Sequence, residues 1–170
     1  QVIGGGDWSR NRLIPDCIRS WSIGEVVKLR SPNSTRPWQH VFDPINGYLT
    51  LALKVNHNPK LNGESFNFGP NHLNDITVMK AVEKLSKKWG TNAKYILEDS
   101  NFMHEAKLLR LNCDKANTLL DWQPILNLDQ CLNMTIEWYK REMLGKIETL
   151  KITELQVQWF INKFCDKKYS

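Results

Sequence analysis

Two stretches of this sequence combine residue types that are costly as plain structure and useful as chemistry. The first is Gly4-Gly5-Gly6-Asp7-Trp8. Three successive glycines lose much backbone freedom on ordering, so the run marks a tight bend or a close approach of the chain to something else. It is not the dinucleotide fingerprint, because no third glycine follows at the spacing that motif requires. The second is Arg36-Pro37-Trp38-Gln39-His40-Val41. An arginine beside a tryptophan and a histidine at a strand entrance offers a planar fork for phosphate and an aromatic wall. Arg30 precedes it across a turn, so both guanidiniums could face one anionic ligand; the plainer reading is two surface arginines with Trp38 in the core. His104-Glu105 is a poor acid–base pair, since neighbouring residues point apart in helix and strand alike. His57 and His72 fall in polar loops. No Ser-His-Asp set and no metal-ligand spacing is present.

The elements that must carry these residues follow from periodicity. Leu13, Cys17, Ile18 and Trp21 recur at helical spacing, with Gly24 placed as a C-terminal cap. Val26 to Arg30 is a β-rich run broken at Ser31-Pro32-Asn33-Ser34, and Trp38 to Phe42 reads as another short strand. Ile45, Leu49, Ala52 and Leu53 repeat at helical spacing up to Asn58-Pro59. Ser65 to Phe68 is a strand candidate closed by Gly69-Pro70. Val78, Ala81, Val82 and Leu85 form an amphipathic stripe ending near Gly90. Lys94 to Leu97 and Leu108 to Leu111 read as extended, Asp114 to Leu120 as a short helix. Leu128, Leu132, Ile136 and Tyr139 mark a longer helix after Pro124. The division expected is a body over 1–146 and an apolar, helical tail over 147–170. Helices and strands alternate, so the class is α/β, with strands too few for a complete doubly wound sheet.

Composition narrows the function classes. The 170 residues carry 23 Lys+Arg against 18 Asp+Glu, a net charge of +5, with 41% hydrophobic and 24% charged residues. That is ordinary globular composition. The lysines are spread out and no nucleic-acid-binding signature accompanies them, so no nucleic-acid partner is expected. No apolar run approaches the ~20 residues that span a bilayer, so no membrane partner is expected either. Cys17, Cys113, Cys131 and Cys165 show neither zinc spacing nor a disulfide framework, which points to free thiols in a reducing, cytoplasmic compartment. Gln1-Val2-Ile3 running into glycines reads as a chain opening in mid-element, so a fragment is the expectation.

Val2 to Trp8, Arg12-Leu13-Ile14-Pro15-Asp16, Arg30-Ser31-Pro32-Asn33 and Arg36 to Val41 together resemble the CDP-glucose 4,6-dehydratases. These are extended short-chain dehydrogenase/reductases that act on nucleotide sugars. The resemblance continues through Gly47-Tyr48-Leu49, Phe66 to Pro70, His104-Glu105-Ala106, Lys115-Ala116, Leu120 to Pro124 and Glu137-Trp138-Tyr139. It implies a C-terminal, substrate-binding lobe lacking most of the Rossmann sheet. It also implies NAD held mainly by an N-terminal half and catalysis by a Tyr-x-x-x-Lys pair. No such pair occurs here: Ala52, Asp99 and Met143 stand four residues after Tyr48, Tyr95 and Tyr139. The lobe alone is therefore expected to be inactive, with no catalytic residue of its own.

By that resemblance the partner is CDP-glucose, with the rest of the enzyme chain, in a homo-oligomer. Gly5 and Gly6 would close over sugar and pyrophosphate, with Gln1 where the family's motif has Asn. Arg12, Leu13 and Pro15 would line the nucleotide cleft and Arg36 would grip pyrophosphate. Leu29 and Arg30 would lie beside the cytosine and Glu105 near the ribose. The implied reaction turns CDP-glucose into CDP-4-keto-6-deoxyglucose and water, a step towards the dideoxy sugars of bacterial surface polysaccharide. The alternatives are a sibling nucleotide-sugar dehydratase or epimerase, or a non-catalytic nucleotide-sugar-binding module.

Overall fold

The structure is a computed structural model that describes residues 1–71, 75–98, 109–145 and 148–169. Helix α1 spans Leu13–Ser22, α2 Phe42–His57, α3 Val78–Trp89, α4 Asp114–Leu120, α5 Leu128–Met143 and α6 Thr149–Tyr169. Strands are short: β1 Val2–Ile3, β2 Val27–Leu29, β3 Thr35–Pro37, β4 Gln39–His40, β5 Asp75–Thr77 and β6 Tyr95–Leu97. They form three separate pairs, β1–β4 and β2–β6 parallel and β3–β5 antiparallel. Parallel pairs normally sit inside sheets covered on both faces. Here the cover is one-sided: Val27 and Leu29 of β2 are buried, whereas Ile96 and Leu97 of β6 are 50% and 55% exposed.

Local chemistry explains where the helices begin and end. Asn127 and Gln130 form a capping box at the start of α5, each side chain taking the other residue's backbone N–H. Thr77 caps α3, whose Ala81, Val82 and Leu85 stripe is fully buried. Gly90 ends it at φ 127°, a conformation open to glycine and strained for other residues. Pro15 sits in the first turn of α1, where its missing N–H costs nothing. The Trp21 indole N–H then donates to the Lys94 carbonyl at 2.9 Å, tying α1 to the entrance of β6.

One core joins α1, α3 and α5 to β1, β2 and α6, with Trp21, Trp38 and Tyr139 almost wholly enclosed. Ile152 and Phe160 bring α6 into that core. A second, smaller cluster of Leu61, Phe68, Ala116, Leu120 and Trp122 lies between α2 and α4.

Four sequence expectations change. Trp38 to Phe42 is not one strand: Gln39–His40 pair with β1, and Phe42 already opens α2. Thr35–Pro37 is a strand that the proline had masked, tolerated because the pair is only two strands wide. Ser65 to Phe68 and Leu109 to Leu111 join no ladder. The stripe Ile45, Leu49 and Leu53 is on a helix but faces outward, 44%, 61% and 66% exposed. The inward face of α2 is instead Asp43, Pro44 and Gly47. Gly47 lies against Phe68 so closely that an added Cβ would stand 2.4 Å from the ring. All four cysteines are free, Cys17 and Cys131 buried, Cys113 half-buried and Cys165 exposed.

Candidate functional site

Strand β1 delivers the chain into the glycine loop, and α1 closes the other side. Gln1, Gly4, Asp7, Arg12, Leu13, Pro15 and Trp38 line one shallow cleft there. The cleft encloses about 10 Å³, so these residues make a wall of a site rather than a closed cavity. Two roomier hollows lie elsewhere and include none of the predicted residues. One of about 430 Å³ runs between α5 and α6 past Met134, Arg141 and Trp159. The other, about 260 Å³, lies beside Asp121 and Gln123.

The loop is held from three sides. Arg12 Nη1 pairs with Asp7 Oδ2 at 3.0 Å across the cleft mouth. Arg19 donates to the Trp8 carbonyl at 2.7 Å and the Ser9 carbonyl at 3.1 Å, and pairs with Asp16. The Tyr139 hydroxyl donates to the Asp7 carbonyl at 2.5 Å, while its ring meets Trp8 edge-on at 5.0 Å. Burial raises the Asp7 carboxyl, but the Ser9 N–H and the Arg12 guanidinium outweigh it and hold the group below its ordinary value. Burial, helped by Asp7, pushes the Tyr139 phenol up to about 12, so it stays a proton donor at any physiological pH.

The glycines have an internal cause. A Cβ on Gly5 would stand 2.0 Å from Cγ of Trp138, and one on Gly4 3.0 Å from Val41. Gly6 adopts φ 80°. The close approach inferred from the glycine run is therefore, at Gly5, an approach to the Trp138 indole. The Trp138 ring fills the Cβ side of Gly5, and no third glycine follows at the dinucleotide spacing, so these residues are not a seat for NAD.

The remaining predicted residues are spread more widely. Leu29 is 1% exposed and faces the core, and its carbonyl accepts the Glu98 N–H at 3.0 Å. The Arg30 side chain projects into solvent at 75% exposure and lies 3.8 Å from Glu98. Arg36 is not a surface arginine: it is 7% exposed on β3, with Nη1 donating to the Thr35 carbonyl at 2.9 Å. The two guanidiniums thus occupy unlike environments. Trp38 belongs to the core, as the plainer reading had it, and its indole donates to Ile76 at 3.2 Å. Glu105, with His104 and His72, lies outside the described residues.

Sequence reasoning missed three groups. Trp138 and Tyr139 clamp the loop, and the signal was two adjacent aromatics late on a helix opposite a glycine run. His40 is 1% exposed, and burial lowers its imidazole to about 4. Asp43 is equally enclosed, and burial raises it to about 6 although it accepts the Ile125 N–H at 2.7 Å and the Leu126 N–H at 3.4 Å. Among the described residues no three His, Cys, Asp or Glu side chains converge as metal ligands. No helix among them is long and apolar enough to cross a membrane.

This architecture is found in solved nucleotide-sugar enzymes. UDP-glucuronic acid 4-epimerase from Bacillus cereus, solved with UDP-glucuronic acid and NAD, superposes with a TM-score of 0.70 at 21% identity, over 84% of this chain and 43% of that one. dTDP-glucose 4,6-dehydratase from Bacillus anthracis, solved with NAD, gives 0.65 at 23% identity, over 83% and 42%. The chain has the α/β fold of a C-terminal portion of the extended short-chain dehydrogenase/reductases. Within that class the resemblance read from the motifs stands. The chain is 41% identical over 145 residues to CDP-glucose 4,6-dehydratase of Salmonella typhimurium, covering 85% of this chain and 40% of that protein. Identity to dTDP-glucose 4,6-dehydratase of Haemophilus influenzae is 25% over 139 residues. The chain thus spans about two fifths of the length of these relatives. No family profile matches it.

Proposed function

We propose that this chain is the nucleotide-sugar-binding portion of an NAD-dependent CDP-glucose 4,6-dehydratase. The observation that carries the reading is the 41% identity to the Salmonella enzyme, against 25% to the dTDP-glucose enzyme. The cleft supports it physically. Gln1, Arg12, Leu13 and Pro15 stand together along one wall, and a nucleotide sugar needs a second wall that these residues do not supply. In this reading the other wall is the NAD-binding half of the same enzyme, working as a cytoplasmic homo-oligomer. The 1–146 body would carry the substrate and the 147–170 helix would brace it.

The chemistry divides accordingly. NAD supplies hydride transfer when bound, and the residues described here orient the substrate. Gln1, Gly5 and Gly6 would face sugar and pyrophosphate. Arg12, Leu13 and Pro15 would hold the nucleotide, Leu29 backbone and Arg30 the base, Arg36 the pyrophosphate and Glu105 the ribose. Arg36→Lys keeps the charge and loses the fork, so it is expected to raise KM for CDP-glucose roughly tenfold with kcat little changed. Steady-state kinetics of the complete enzyme check this; a collapsed kcat at unchanged KM contradicts the assignment. Titration calorimetry of the complete enzyme with CDP-, dTDP-, UDP- and GDP-glucose tests the reading itself. Selective binding of the CDP sugar supports it, and equal binding of all four discards the base-reading role of Arg30.

A further inference from the structure

The terminal helix reaches the glycine loop through a single side chain. Trp138 on α5 turns one edge of its ring to Gly5, where an added Cβ would overlap Cγ, Cδ1 and Cδ2, and its benzo edge to Gly6, at 3.6–3.7 Å from a Cβ placed there. Its Nε1–H points the other way and donates to Thr153 Oγ1 on α6 at 3.0 Å. That hydroxyl in turn donates to the Thr149 carbonyl at 3.0 Å, so its lone pair is fixed towards the indole. Gln156, whose amide donates to the Met134 carbonyl at 2.7 Å, holds α6 in register against α5 one turn further on. Next to it, Tyr139 carries the separate bond to the Asp7 carbonyl.

The Trp138 ring is 5% exposed and packed in the core, and its N–H bond to Thr153 selects where within that packing the ring settles. We propose that Thr153 is a positioning residue: by fixing the Trp138 ring it sets where Gly5 and Gly6 stand, and through them the affinity for the nucleotide sugar. The proposal rests on the substrate-binding reading above and adds a determinant on α6, outside the cleft. If the indole loses its acceptor, a buried N–H is left unpaired, the ring shifts within its pocket, and Gly5 and Gly6, packed on it, shift out of the binding geometry. Small displacements of a positioning group are costly in this way.

The test uses the complete enzyme, with Thr153→Val, which removes the acceptor, and Thr153→Ser, which restores it. CDP-glucose affinity is measured by calorimetry, the Trp138 indole N–H is followed by ¹⁵N NMR, and melting temperature is recorded. The expected result is an affinity about tenfold weaker in Thr153→Val, with its indole proton shifted upfield and exchanging faster. Thr153→Ser is expected to match the wild type in all three. Wild-type affinity in Thr153→Val, with the indole resonance shifted, overturns the proposal while leaving the functional reading intact. So does an equal loss of affinity in Thr153→Ser. Failure of the wild-type enzyme to bind CDP-glucose overturns the functional reading and the proposal with it.

Discussion

Gly5→Ala is expected to destabilise the protein by about 3 kcal/mol, the upper end of ordinary overpacking. The added methyl would stand 2.0 Å from Cγ, 2.1 Å from Cδ2 and 2.5 Å from Cδ1 of Trp138. These are ring atoms close to the helix backbone, so the obstacle is not the end of a flexible chain. Relief requires moving α5, which carries eight buried residues, or the loop, which is bonded at Asp7, Trp8 and Ser9. At this size the cost corresponds to a fall in melting temperature of roughly 6–12 °C. Trp138→Leu costs stability by itself but clears the space, so the double variant should be less destabilised than the two single effects added together. Thermal melts of the four proteins measure that coupling. Simple additivity, or a Gly5→Ala melt like the wild type, refutes the packing account of the glycine run.

His40→Leu and Asp43→Asn are expected to change stability with pH in opposite directions. His40 ordinarily titrates at 6.5, and burial lowers it to about 4 in the folded protein. The fold therefore keeps the neutral imidazole. Its contribution is complete above about 6.5 and is lost as pH falls through about 4. Asp43 ordinarily titrates at 3.8, and burial raises it to about 6. The fold favours its protonated form, a contribution complete below 3.8 and lost as pH rises through about 6. Each shift corresponds to at most roughly 3 kcal/mol. Relative to wild type, His40→Leu should gain stability on acidification from 6.5 to 4, and Asp43→Asn should lose it over 6 to 4. Urea melts at successive pH values measure both slopes. Parallel pH profiles for the two variants would show that these groups do not titrate as their burial requires.

Much of this was legible in the sequence because local rules and the fold agree. The α1 stripe with Gly24 behind it and the α3 stripe with Gly90 follow from spacing and caps, and α4 has the bounds expected of it, Asp114–Leu120. The failures have physical reasons. On α2 the apolar residues face out, because an acid bonded to two distant N–H groups and a glycine under Phe68 hold the opposite face inward. No periodicity reports such long-range partners. Thr35–Pro37 was hidden because a proline strand looks like a turn until its antiparallel partner is known. At the site, the glycines and Arg12-Leu13-Pro15 were visible as motifs. Their support was not, since Trp138 and Tyr139 lie far along the chain and read as ordinary helix-face residues. Arg36 drew notice as a charge, but its burial depends on strands that a short window cannot pair.

The central claim is that these residues hold CDP-glucose for dehydration, and one measurement tests it most directly. The chain, extended upstream in its own reading frame, would be incubated with CDP-glucose and NAD. Mass spectrometry would then follow the sugar nucleotide for loss of one water. The account predicts that CDP-glucose loses water while dTDP-, UDP- and GDP-glucose do not. Dehydration of another nucleotide sugar in preference, or none of CDP-glucose, would contradict it.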